Sequence, residues 1–183
     1  MFTIHGIWPQ DINDQPIDPY SKFPQCTRTT PPLAQMIMPS LTPILQDMHY
    51  LWPNLKNPTD TQAKEIFWEH EWDAQGKCSA YPMDPLRYFE SGLRLTQNLP
   101  NPDFSLQSTR FYTVQDILNK VRQDVHFGAE ISCNRNRTGT VQLFEIHLCY
   151  EKPTPPELIH KMRDCPHPTR GRCPNLFDNV YVP

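Results

Sequence analysis

The chain has 183 residues and a mass of 21.4 kDa, and its size predicts a single domain over residues 1–183. Its formal net charge of -3 and pI near 6.1 exclude a broad basic surface built for indiscriminate nucleic-acid binding. No stretch approaches the roughly 18 consecutive apolar residues that a transmembrane helix needs. Twenty-one prolines against 6 glycines indicate many rigid loops.

The first half of the chain predicts one strand followed by helices. In Phe2–Trp8, alternate residues that include His5 share one face, which is typical of a short strand. Leu33–Trp52 has helical apolar spacing, but two internal prolines divide it into two short helices. Further helices are predicted over Thr61–Cys78 and Asp84–Leu99.

The second half predicts one more helix and then strands. Thr113 followed by Asp116 is typical of a helix N-cap, and apolar residues at helical spacing come after it. Beyond this helix the period changes to two, so that Ala129–Cys133 and Thr140–Tyr150 form a predicted hairpin. The tail closes with a strand-like Asn179–Val182. A strand, then helices, then strands in one compact unit is an α+β fold.

The six cysteines form an even set in which no two have the C-x-x-C spacing of zinc ribbons and thioredoxin-type motifs. They are Cys26, Cys78, Cys133, Cys149, Cys165 and Cys173. This pattern predicts disulfides in a secreted protein, although spacing alone leaves the pairing open. A zinc site at His147 and Cys149 is the weaker interpretation, because no third ligand is evident.

Two further features concern the secretory pathway. Asn136-Arg137-Thr138 has the form of an N-glycosylation acceptor. The opening residues MFTIHG lack the charged and apolar regions of a signal peptide. Secretion therefore requires that a targeting segment has been removed or that the sequence lacks its true beginning. We expect an extracellular or vacuolar location, reached through the secretory pathway.

Two segments contain residues suited to chemistry at a phosphate. The first, FTIHGIWP, places His5 on the predicted strand, and the second, FWEHEWDAQGKC, places His70 and Glu71 on a predicted helix. Taken singly, each histidine could equally be a buried polar group of the core. Taken together, two imidazoles and a carboxylate supply what proton transfer and charge stabilisation at a phosphate require.

These segments resemble the active-site motifs of the ribonuclease T2 family, which includes the plant S-ribonucleases and S-like ribonucleases. The first segment matches FTIHGLWP with one conservative change, and matches of the second to WxHEWxKHGTC include His70, Glu71, Trp72, Gly76 and Cys78. The likeness continues downstream and covers essentially the whole chain. Family members usually carry a further N-terminal segment with a core strand, so we expect that strand to be missing here.

The resemblance also implies a structure and a chemistry. It implies an antiparallel sheet packed against several helices, with disulfides that pair Cys26 with Cys78, Cys133 with Cys173 and Cys149 with Cys165. It implies RNA cleavage by transesterification to a 2′,3′-cyclic phosphate, without metal or other cofactor. By position, His5 would be the general acid, His70 would hold phosphate and Glu71 would stabilise the transition state. Trp8 would border the base site.

The second motif departs from the family pattern at its catalytic end. Ala74 and Gln75 occupy the positions of the family's lysine and second catalytic histidine, and Lys77 replaces the threonine. Glutamine can hydrogen-bond but cannot act as a general base. Losing one general acid or base typically lowers a rate by roughly 10²–10⁴-fold. Lys77 or His70 could in principle compensate, but near-attack geometry tolerates little displacement.

We therefore expect a secreted RNA-binding protein in which cleavage is lost or strongly impaired, resembling the family's nitrogen-storage members. One alternative is an active endoribonuclease that uses His5, His70 and Glu71. Another is a pure RNA-binding module that stacks bases on Trp8 and neighbouring aromatic residues. The expected partner is RNA or a nucleotide phosphate, bound weakly. We expect neither DNA nor a membrane as a partner, and the protein should be a monomer.

Overall fold

The computed structural model describes residues 2–173 and 175–183. Its contacts divide the chain into two compact units. The first, called the helical unit here, comprises Thr3–Asn98 and Lys152–Ile159. The second, called the sheet unit, comprises Leu99–Glu151 and His160–Pro183 together with Phe2. Helices and strands together make the fold α+β, which confirms the predicted class. The assignment of all residues to a single domain stays a prediction.

The helices of the helical unit begin where local sequence signals place them. Its described α-helices are α1 (Met38–Leu41), α2 (Leu45–Leu51), α3 (Thr61–Ala74) and α4 (Pro85–Gln97). Pro39 lies in the first turn of α1, where its missing N–H is tolerated. The carboxylates of Asp60 and Asp84 cap α3 and α4 by accepting backbone N–H groups at 3.0 and 3.1 Å. Among the described residues, no helix has the length and apolar character to cross a bilayer.

The core of the helical unit is built on large aromatic side chains. Trp52, Trp68, Trp72, Tyr88 and Phe89 are fully buried. Their rings meet edge to face, at 5.1 Å between the centroids of Trp52 and Phe89 and 5.8 Å between those of Trp72 and Tyr88. Each of the three buried indole N–H groups donates to a backbone carbonyl, at distances of 2.8 to 3.0 Å. The tryptophans therefore combine apolar burial with satisfied polar groups, and they hold α3 and α4 against α2.

The sheet unit contains the helix α5 (Val114–Val125) and two sheets. Its described strands are β1 (Arg110–Thr113), β2 (Glu130–Arg135), β3 (Val141–His147), β4 (Cys149–Tyr150), β5 (Met162–Arg163), β6 (Thr169–Gly171) and β7 (Asn179–Val182). The larger sheet has the order β1-β7-β3-β2-β6, and β4 pairs with β5. The predicted hairpin is present as β2 and β3, and the predicted capping box of Thr113 and Asp116 starts α5.

The larger sheet is mixed, and in this it differs from the antiparallel sheet that the resemblance implies. β2 runs parallel to β6, and β3 runs parallel to β7, whereas β2–β3 and β1–β7 are antiparallel. β1, β5 and β6 were not predicted, because strands of two to four residues are too short to show a period. The disulfide between Cys133 and Cys173 links β2 to the chain just after β6.

The prediction of a strand over residues 2–8 is wrong. None of these residues belongs to a sheet. Their backbone groups bond to the end of α2 instead. The N–H of Ile4 donates to the carbonyl of Leu51 at 2.8 Å, and the indole N–H of Trp52 donates to the carbonyl of His5 at 2.8 Å. Residue alternation reports an extended chain with two different faces, but it does not report whether another strand is available to pair with it.

The structure has the three disulfides that the resemblance implies. They join Cys26 to Cys78, Cys133 to Cys173 and Cys149 to Cys165, with Cα–Cα distances of 5.4, 4.7 and 5.2 Å. Because Cys149 is bonded to Cys165, it has no thiolate to offer a metal. The zinc interpretation of His147 and Cys149 is therefore wrong.

Candidate active site

The centre of the candidate site is a histidine beside a buried carboxylate. Nε2 of His5 lies 3.9 Å from Oε1 of Glu71. The His5 side chain is 47% exposed, whereas that of Glu71 is 4% exposed. Glu71 is held on α3 between the buried rings of Trp68 and Trp72. A carboxylate in this position stabilises positive charge on the neighbouring imidazole, so His5 is suited to carry a proton to a ligand in solvent.

Gly6 allows the N-terminal segment to approach this carboxylate. A Cβ atom at position 6 would overlap Oε2 of Glu71 and would lie 2.7 Å from Nε1 of Trp8. Only glycine leaves this space open. The histidine and the glycine of the first motif therefore have separate tasks, because one supplies the imidazole and the other allows it to lie against Glu71.

Two aromatic rings border the imidazole of His5. The ring of Trp8 meets it edge-on, with centroids 5.2 Å apart. The ring of Phe67 stacks on it with an interplanar angle of 24° and a centroid distance of 6.2 Å. Trp8 was predicted as a site residue, whereas Phe67 was missed. Its signal was present in the sequence, because Phe67 precedes Glu71 by four positions and so lies on the same face of a helix.

His70 is exposed on α3, whereas Trp8, Phe67 and Glu71 lie beside His5. Consecutive helical residues point about 100° apart, so His70 and Glu71 do not share a face. The structure thus brings His5 and Glu71 together and leaves His70 nearer to solvent.

The positions that depart from the family motif lie at the end of α3. Ala74 is the last helical residue and Gln75 is the C-cap, whose backbone N–H donates to the carbonyl of Glu71 at 2.9 Å. Lys77 follows in a separate turn, and its ammonium group forms an ion pair with Asp73. The suggestion that Lys77 compensates for Ala74 therefore gains no support, because Asp73 already engages its charge.

Fold and site together define a class: a disulfide-bonded α+β protein with a histidine–carboxylate pair, bordered by aromatic rings, that suits phosphate chemistry. Comparison with known proteins gives the family. The chain belongs to the Ribonuclease T2 family, whose model matches residues 1–165.

Several plant proteins are similar to this chain in sequence. Ribonuclease 3 of Arabidopsis thaliana is 30% identical over 94% of this chain and 72% of its own length. Intracellular ribonuclease LX of Solanum lycopersicum is 30% identical over 94% of this chain and 68% of its own length. A ribonuclease-like storage protein of Panax ginseng is 25% identical over 90% of this chain and 63% of its own length. The relatives thus include ribonucleases named as intracellular and as extracellular, and one storage protein.

Solved structures of low sequence identity share the fold. Ribonuclease MC1 from the seeds of bitter gourd superimposes with a TM-score of 0.72 at 19% identity, over 98% of this chain and 83% of its own. RNase NT, solved in complex with 5′-AMP, gives a TM-score of 0.70 at 23% identity, over 99% of this chain and 82% of its own. At such identities the likeness shows the fold alone.

Proposed function

We propose that this protein binds RNA or nucleotide phosphate at the His5–Glu71 site and cleaves RNA weakly or not at all. One observation carries the proposal: the His5–Glu71 pair is assembled, while the position of the family's second catalytic histidine is held by Gln75. Nucleotide binding by a neighbour of the same fold supports a phosphate ligand. The storage protein among the relatives supports a nitrogen-storage role.

The chemistry of the site supports binding without turnover. In transesterification a base must remove the 2′-hydroxyl proton so that the oxygen can attack phosphorus, and an acid must protonate the leaving 5′-oxygen. His5, exposed and backed by Glu71, is placed to supply the acid. The amide of Gln75 cannot supply the base. By its place in the family motif His70 would hold the phosphate, and Trp8 offers its ring to a base.

Binding should strengthen as the pH falls. The probe is a 2′-O-methylated dinucleotide, which cannot be cleaved by transesterification and keeps a single negative charge between pH 5 and pH 8. Affinity measured by calorimetry should be at least about tenfold higher at pH 5, because imidazoles charge near pH 6.5 and a hydrogen bond to a charged group contributes roughly 1.5–3 kcal/mol.

The variant His5→Ala should lose most of this pH dependence, whereas His167→Gln, which changes an exposed histidine of the sheet unit, should keep it. Equal affinity of the natural chain at both pH values would contradict the phosphate site.

We also propose passage through the secretory pathway, supported by the three disulfides, which form in oxidising compartments. The acceptor Asn136 lies in the turn between β2 and β3, next to the exposed residues 137–139. Its side-chain oxygen accepts hydrogen bonds from the N–H and the hydroxyl of Thr138, at 3.0 and 2.7 Å. A glycan attaches to the amide nitrogen, and these two hydrogen bonds engage only the side-chain oxygen.

Asn136 should accordingly be glycosylated when the chain enters a eukaryotic secretory pathway behind a signal peptide. Endoglycosidase treatment of the secreted protein should increase its electrophoretic mobility, and Asn136→Gln should abolish the change. Asn57→Gln is the matched control and should leave the change intact, because Pro58 blocks that tripeptide. An unaltered mobility of the natural chain would refute the proposal.

A further inference from the structure

Four charged side chains meet in the sheet unit, and none of them belongs to the candidate active site. Nδ1 of His147 lies 2.9 Å from Oε1 of Glu130, and its Nε2 lies 3.0 Å from Oε2 of Glu145. Nε of Arg170 lies 2.9 Å from the same Oε1 atom of Glu130. These four residues are called the His147 network here.

The His147 network joins three strands of the larger sheet. Glu130 begins β2 and stands opposite His147, the last residue of β3, whereas Arg170 lies on the parallel strand β6. The side chains of Glu130, Glu145 and His147 are 5%, 13% and 18% exposed, and that of Arg170 is 33% exposed. Solvent therefore screens these charges only in part, and their interactions are stronger than those of surface ion pairs.

The geometry requires a particular protonation state. Both ring nitrogens of His147 face carboxylate oxygens, and only the imidazolium ion has an N–H on each nitrogen. A neutral ring would direct a lone pair at a carboxylate about 3 Å away. With His147 charged, two cations balance two anions; after its deprotonation, one net negative charge remains among partly buried groups.

The charged groups that face His147 come from each strand packed against it. Glu130 comes from β2, Glu145 from β3 itself and Arg170, through Glu130, from β6. Arg163 of β5 is a further charge nearby, since it stands opposite Cys149 in the β4–β5 pair. Burial by itself lowers the pKa of His147, but its hydrogen bonds to Glu145 and Glu130 and their negative charges outweigh burial and raise the pKa above 6.5.

We infer that the His147 network is a pH-sensitive clamp, which holds β2, β3 and β6 together in acid and loosens as the pH rises. This clamp is independent of nucleotide binding at His5, because it uses none of the residues of the candidate active site. It suits a protein that resides in an acidic compartment, where the clamp is closed, and that becomes easier to unfold when the pH increases.

The sign of the pH dependence follows from linkage. The pKa of His147 is higher in the folded protein than the ordinary histidine value, which applies to the unfolded chain. The stabilisation is therefore fully present below about pH 6.5 and is lost as the pH rises through the folded pKa. Within this window the contribution of His147 raises the unfolding equilibrium constant by up to about tenfold per pH unit.

The first test measures the protonation of His147 directly. In the ¹⁵N-labelled natural chain, the signals of His147 should show both ring nitrogens protonated at pH 6.5, and Glu145→Gln should lower the pH at which this histidine titrates. His147→Gln, if folded, identifies the signals by their loss. A neutral His147 at pH 6.5 would overturn the proposal, and this measurement stands even if His147→Gln fails to fold.

The second test measures urea unfolding between pH 5.5 and pH 8.5. The unfolding equilibrium constant of the natural chain should increase across this range. The contribution of the clamp to this increase reaches about tenfold per pH unit, and His147→Gln should remove it. His167→Gln is the matched control, because it removes an exposed histidine of the same unit, and it should keep the natural slope. Identical slopes for the natural chain and His147→Gln would overturn the proposal.

Discussion

Replacing Gln75 with histidine and Ala74 with lysine together should raise RNA cleavage by at least about 10²-fold, the low end of one general-base contribution. Gln75→His alone should give most of the gain, since a proton acceptor is the role that no neighbouring side chain supplies. Ala74→Lys alone should do little, because stabilising charge in the transition state has no effect if attack does not begin. The measurement is the initial rate of cleavage of a defined RNA by each purified variant and by the natural chain.

The structure provides the geometric basis for this result. The backbone of Gln75 is tied to Glu71 by the 2.9 Å hydrogen bond that closes the last turn of α3, and Glu71 in turn lies against His5. The side chain of a histidine at position 75 would project from a backbone that this hydrogen bond holds in place. Adding His5→Ala to the double variant should return cleavage to background, because the acid would then be missing.

The same experiment separates the proposed function from its competitor. A natural chain that already cleaves RNA at a rate the double variant cannot exceed would mean that Gln75 causes no defect. In that case the active endoribonuclease that uses His5, His70 and Glu71 becomes the correct interpretation. Cleavage that persists after His5→Ala in any background would instead indicate a contaminating ribonuclease.

Removing the disulfide between Cys26 and Cys78 should lower the free energy of unfolding by about 4 kcal/mol. The two cysteines are 52 residues apart, and in the chain-entropy model a loop of this length contributes about that much by restricting the unfolded chain. The variant is Cys26→Ala with Cys78→Ala, and the measurement is urea unfolding at constant pH without a reducing agent, so that the other two disulfides stay intact.

A matched pair of substitutions tests the loop-length argument. Cys149→Ala with Cys165→Ala removes a disulfide that spans only 16 residues, and the same model assigns it about 3 kcal/mol. Removing the disulfide that closes the longer loop should therefore lower the free energy of unfolding by more. A larger loss in the variant with the shorter loop would show that native-state packing, and not loop closure, determines the effect.

Features that depend on neighbouring residues were predictable from the sequence. The capping box of Thr113 and Asp116 starts α5 because both halves of the hydrogen-bonded pair lie within one turn. The division of Leu33–Trp52 into short helices follows from its prolines, of which Pro39 lies in the first turn of α1 because its ring has a fixed φ and no N–H. The hairpin of β2 and β3 follows from two-residue alternation on either side of a short polar turn.

Features that depend on distant partners were not predictable from local patterns. β6 comes from a proline-rich tail, and it is a strand because it lies beside β2, whose paired residues come 38 positions earlier in the chain (Ile131 opposite Thr169). The segment that contains His5 alternates like a strand, yet its backbone bonds to Leu51 and to the indole of Trp52. Alternation records which side of an extended chain is apolar, whereas pairing depends on what the tertiary structure places beside it.

The sequence by itself determined the class of fold, the family motifs and the residue types at the site, including the glutamine at position 75. Only the tertiary structure decided that His5 lies against Glu71 with Phe67 stacked on its ring, and that Lys77 pairs with Asp73. It also decided that His147 bridges two carboxylates. The physical reason is that a side chain's protonation and reach depend on burial and on charges from other strands and helices, and these partners are separated in the chain.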